Sequence, residues 1–188
     1  MADYSYLIRR RVFVLAGAKF DLFDASGRQI GFSKQKAFKL KGEFALFREE
    51  SSEEPFLRIK GRKILDFSAA YDVMDAAGHR IGTWKRKGVK SMVRDAWVVE
   101  DAVGNEVAIL QEDSLFMALL RRFLCALFPQ RFNLIAPDGR RFARYERSFN
   151  PFVSRQRTLI YKENTLPAML ILAGAMLLLA VEEFQLSL

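Results

Sequence analysis

Four stretches of this chain repeat one pattern: residues 20–31 (FDLFDASGRQIG), 71–82 (YDVMDAAGHRIG), 97–108 (WVVEDAVGNEVA) and 132–143 (FNLIAPDGRRFA). Each opens on an aromatic residue and alternates apolar with mixed residues. It then reaches an aspartate in or just before a four-residue turn, passes a glycine and becomes apolar again three residues later. The glycine stands where a tight turn needs positive φ, and Asp24, Asp75, Asp101 and Asp138 can accept bonds from the turn's own backbone. Alternation with period two on both sides makes each unit a β-hairpin. Phe20/Leu22, Tyr71/Val73, Trp97/Val99 and Phe132/Leu134 fall on one face, so the hairpins share a buried side. Four such hairpins predict a large antiparallel sheet, and that removes most enzyme classes.

Residues 6–15, 38–47 and 56–67 read as further strands and hairpins, and another strand falls near residues 157–161. With strands of about five residues, the total is on the order of twelve. Residues 114–128 change period. Leu115, Phe116, Leu119, Leu120, Phe123, Leu124 and Leu127 recur at helical spacing behind Ser114, which predicts a short amphipathic helix. Residues 166–181 carry no charge at all. A helix apolar on every side is either a membrane span or the centre of a core. Sixteen residues at a rise of ~1.5 Å span about 24 Å, short of the ~30 Å hydrocarbon layer. A closed sheet of about eight strands fills itself with side chains, and a larger one leaves a hole. The reading is therefore a mainly β chain: a closed antiparallel barrel of roughly twelve strands around a central hydrophobic C-terminal helix. The alternative for that helix is a tail anchor, with Arg155, Arg157 and Lys162 flanking it.

The 188 residues, without a Pro/Gly/Ser linker, read as one domain over 1–188. Apolar residues make up 51% of the chain and 17 are Phe, enough for a substantial core. The single Cys125 has no disulfide partner within the chain, and the N-terminus lacks a secretory apolar region, so a cytoplasmic location is expected. The formal net charge is +8, a field that attracts nucleic acid or anionic lipid. Single-strand binders stack bases on exposed aromatics. Here the aromatics alternate inward, which disfavours nucleic acid.

The repeated strand–Asp-x-x-Gly–strand units, the basic segment after the second unit, the helix before the last hairpin and the apolar C-terminal helix together resemble the LURP-one-related family. Residues 39–113 look most like it. That family belongs with the phospholipid scramblases and the tubby C-terminal domain. The resemblance covers nearly the whole chain and implies a twelve-stranded barrel wrapped around a central hydrophobic helix. Tubby-type domains bind phosphoinositides through basic surface residues, and scramblases act at membranes and respond to calcium. No residue role is carried over from them.

Chemical constellations are absent. The lone His79 follows a turn glycine, where it is poorly placed to serve a nucleophile. One Cys and one His cannot build a structural zinc site. No P-loop, GxGxxG or GxSxG sequence occurs, and no loop has the Asp/Asn spacing of a calcium site. No enzymatic activity, cofactor or metal is expected. What remains is basic clusters, whose bland reading is a solvated strand face. The densest holds Lys85, Arg86, Lys87, Lys90 and Arg94, with no acid from Ile81 through Arg94 and Gly88 inside it. A second holds Arg140, Arg141 and Arg144. These eight are the candidate lipid- or anion-binding residues. The expected partner is anionic phospholipid or phosphoinositide, met peripherally at a membrane surface. The alternatives are a tail-anchored or scramblase-like membrane protein and a protein-interaction scaffold.

Overall fold

A computed structural model describes residues 2–11, 18–35, 43–62, 70–86, 97–112, 130–148 and 155–185. The expected helix over 114–128 lies outside them, as do Lys87, Lys90 and Arg94. Twelve strands and one helix follow in order: β1 (Ala2–Arg10), β2 (Ala18–Phe23), β3 (Gln29–Gln35), β4 (Glu43–Phe47), β5 (Leu57–Gly61), β6 (Ala70–Asp75), β7 (Arg80–Arg86), β8 (Trp97–Glu100), β9 (Glu106–Glu112), β10 (Gln130–Ile135), β11 (Arg141–Ser148), β12 (Arg155–Tyr161) and α1 (Ala168–Gln185). Each strand pairs antiparallel with its neighbours in sequence, and β12 returns to pair with β1, closing the barrel. The first strand begins earlier than its apolar run over residues 6–15 suggested and is described to Arg10; residues 12–15 of that run lie outside the described residues. Its limits follow the ladder to β12, from Ala2 opposite Tyr161 to Arg9 opposite Arg155.

The repeated sequence units build one repeated geometry. All four glycines have positive φ: Gly27 79°, Gly78 84°, Gly104 102° and Gly139 86°. In each hairpin the ladder shifts register just before the turn, at Leu22/Phe23, Val73/Met74, Val99/Glu100 and Leu134/Ile135. Asp101 shows why the aspartate is needed: its Oδ1 accepts the backbone N–H of Val103, Gly104 and Asn105 at 3.0, 2.8 and 2.9 Å. In the fourth unit Ala136 takes that place, and Asp138, two residues later, accepts the N–H of Arg140 at 3.1 Å. A chain that meanders antiparallel puts alternate connections at the same end. The four turns, the loop over residues 48–56 and the passage from β12 to α1 therefore share one end, the hairpin end.

The inward faces carry the expected residues. Ile8, Phe20, Leu22, Tyr71, Val73, Trp84, Trp97, Val99, Leu134 and Tyr145 are buried in one core with α1. From Leu170 through Leu179 every helical residue except Gly174 is named in that core, and Gly174 is buried too. A helix covered on all sides by a closed sheet lies in its lumen. Two side chains fix its height. Trp84 donates its indole N–H to the Leu170 carbonyl at 2.9 Å, and Tyr145 donates its hydroxyl to the Ile171 carbonyl at 3.0 Å. Burial pushes the Tyr145 hydroxyl well above its ordinary pKa, so this donor persists. Gly174 lets the helix pass Trp84: a Cβ there would come within 2.2 Å of the indole ring. The helix continues past the uncharged run to Gln185, through Glu182 and Glu183, which are good helix formers.

Candidate functional site

Cations on a strand face act on a partner only where acids do not already hold them, so pairing separates the basic clusters. Thr83 and Lys85 point outward from β7. Lys85 forms an ion pair with Glu100 of β8, which is itself 8% exposed. Beside it Arg62 grips Asp72 through two bonds of 2.7 and 2.6 Å, and Thr83 donates to the same carboxylate at 2.9 Å. Burial pushes the Asp72 carboxyl up, but the bonds from Arg62 and Thr83 and the nearby charges of Arg62 and Arg80 outweigh it and hold the group below its ordinary range. Arg86 alternates to the lumen side with Trp84, and its charge draws down the Tyr71 hydroxyl that burial raises. The described part of the densest cluster is thus engaged within the barrel.

The second cluster stands apart from the first. Arg86 ends β7 far from the hairpin end, while Arg140 lies in the β10–β11 turn. Arg140 bonds Asp138 at 2.7 Å and covers the Phe142 ring at 5.7 Å from its centre. Arg141 opens β11, and Arg144 points outward from it toward Glu146 at 3.0 Å.

Arg144 belongs to a larger basic face that local sequence patterns did not reveal. The ladder lays Arg131, Glu146, Arg157 and Leu7 in one row across β10, β11, β12 and β1. The next row sets Ser148, Arg155 and Arg9 side by side, and an adjacent row holds Arg144 opposite Leu159. Glu146 is the one acid among these outward positions. It lies 3.0 Å from Arg144 and 3.9 Å from Arg131. Arg141, Arg155 and Arg157 have no ion-pair partner among the described residues, and all three are exposed. Arg9 and Arg155 stand directly opposite, a placement in which like charges repel at about 5 Å. Arg9 leans away over the Phe23 ring at 4.9 Å and reaches Asp21 at 3.7 Å. Asp21 is 3% exposed and takes its closer bond from Arg11, at 2.8 Å.

The alternation Arg155-Gln156-Arg157 was the available signal for this face. It gained meaning only from the closure of β12 on β1, which no local pattern contains. His79 sits 81% exposed in its turn, 3.5 Å from Asp75. Among the described residues, no group of His, Cys, Asp and Glu could hold a metal ion. No described helix is long and apolar enough to cross a membrane.

Known proteins bear on this geometry through one match. No curated protein and no solved structure matches the chain. A sequence model of the LURP-one-related family matches residues 30–149, from β3 to just past β11. That is more than half of the chain, its described residues belong to the closed twelve-stranded barrel, and the chain belongs to the LURP-one-related family.

Proposed function

We propose that this barrel is a non-enzymatic binding module for anionic membrane surfaces, phospholipid or phosphoinositide, and that its contact face is the outer wall of β10–β12 and β1. The observation that carries the reading is the pairing of Arg9 against Arg155, with Arg157 beside them and Glu146 as the one acid in the rows named above. Like charges set opposite each other cost stability unless an anion joins them. Each Lys or Arg near an anionic surface contributes about 1 kcal/mol, so Arg155 and Arg157 together supply roughly a thirtyfold gain in partitioning. The filled lumen supports a surface function over an internal one. The Lys85 segment ranks second because Lys85 already holds Glu100.

The test is sedimentation with neutral vesicles and with vesicles containing phosphatidylserine or phosphoinositide. Pelleting only with the anionic vesicles, fading as salt shortens the Debye length from about 10 Å at 0.1 M toward 3 Å at 1 M, is the expected result. Equal pelleting with both kinds would end the electrostatic reading. An absence of pelleting with either would leave a protein partner as the occupant of the arginine face.

A further inference from the structure

Beside this face, at the hairpin end, the passage from β12 into α1 leaves a cleft of about 500 Å³. Its lining is Tyr6, Ile160, Tyr161, Lys162, Asn164, Leu166 and Ala168. The volume falls within the ~300–1,000 Å³ of ordinary small-molecule sites, and the chemistry divides by depth. Ile160 and Leu166 supply an apolar floor, packed against the core. Tyr6 and Tyr161 are amphipathic walls, a residue type suited to the boundary between hydrocarbon and water. Lys162, exposed, places positive charge at the mouth. The far wall is fixed: Asn164 accepts the Leu166 N–H at 3.0 Å and donates to the Leu166 carbonyl at 2.8 Å. A site held open before binding loses less freedom on occupation.

We propose that this cleft takes one acyl chain of an anionic lipid, with the lipid's charged group held between Lys162 and the arginines of β12. The inference rests on the membrane reading above and names where the lipid's apolar part goes. Charge complementarity favours this occupant: the floor suits hydrocarbon, and every charge that the cleft and the adjoining outer face of β12 present is positive. Reach favours it too. Tyr161 lies four positions beyond Arg157, about 13 Å along the strand, so a headgroup on the face and a chain bent over the rim can belong to one molecule.

The probe is cis-parinaric acid, a fluorescent fatty acid used below its micelle concentration with the full chain. Two variants alter the cleft at Ala168, an exposed residue. Ala168→Trp fills it. Ala168→Glu sets a carboxylate against the probe while favouring the start of the helix, so folding is retained. The expected result is uptake by the wild type and about tenfold weaker uptake by both variants at unchanged melting temperature. Equal uptake by wild type and Ala168→Trp, or no uptake at all, would overturn the proposal. Anionic-vesicle binding separates the two claims. Vesicle binding without probe uptake defeats the cleft alone, and probe uptake without vesicle binding defeats the membrane reading alone.

Discussion

Strands β7 and β12 both face α1 with one side and the outside with the other, and they differ on both sides. On β7, Trp84 bonds a helix carbonyl and Gly82 lies against Leu170, while Thr83 and Lys85 outside are held by Asp72 and Glu100. On β12, Gln156 Nε2 and Thr158 Oγ1 are buried inside without a hydrogen-bond partner among the described residues. Outside, Arg155 and Arg157 lack an acid of their own among the described residues. Net charge does not distinguish the two strands. Completeness of pairing does: β7 is committed to holding the barrel, and β12 is open to something else.

The largest effect should come from undoing β7 inside. Trp84→Ala removes a fully buried indole, its bond to Leu170 and its edge contacts with Trp97 and Tyr145, both at 6.3 Å. A loss of ~3–5 kcal/mol is expected, read from the urea midpoint by circular dichroism. A loss below 1 kcal/mol would mean that the helix does not depend on this strand for its seat.

Next in size is the outer face of β12. Arg155→Ser with Arg157→Ser should weaken binding to anionic vesicles by about 2 kcal/mol, roughly thirtyfold, while stability stays within ~0.5 kcal/mol. The mirror experiment is Glu100→Ala on β8, which frees Lys85 of β7; the carboxylate is buried and Lys85 half-exposed. Here about 1–2 kcal/mol of stability should go and vesicle binding should not fall. If Glu100→Ala lowered vesicle binding and the arginine pair did not, the roles assigned to the two strands would be reversed.

The smaller effects are finer. Thr158→Val replaces an unpartnered buried hydroxyl and should stabilise by about 1 kcal/mol in thermal melts, because no bond is lost and a desolvation cost disappears. Acid should act on β7 and spare β12. The Asp72 pKa is lowered on folding, so its contribution is complete above the unfolded value of ~3.9 and is lost as pH falls through the lower folded value. Asp72→Asn should remove that part of the acid dependence. An unchanged acid-unfolding curve would show that Arg62 and Thr83 do not set it.

Much of this architecture can be read in the chain, for reasons that particular residues make plain. Asp101 and Gly104 act within five residues of each other, so their turn is a local fact. The uncharged run from Leu166 to Val181 carries its own statement that every side must be covered. Fold class, hairpins and helix follow from such short-range features. The site does not. Lys85 and Arg86 stand out in the sequence because no acid is near them in it, yet Glu100 lies on the neighbouring strand. Arg9 and Arg155 are far apart in sequence and become a like-charged pair only through the last ladder of the barrel. The sequence shows where charge is dense. Its neutralisation is decided by pairing across strands.

The closing ladder also has a consequence for synthesis. Until residues 155–185 have left the ribosome, β1 and β11 each present an edge with no neighbour and the lumen has no filling. At about 5–20 residues per second, the stretch from the end of β11 to the end of α1 takes roughly two to seven seconds to translate. Open edges are templates for pairing with other chains. The nascent protein is therefore expected to need shielding until its final helix arrives, and slow codons placed before β12 would lengthen its exposure to aggregation.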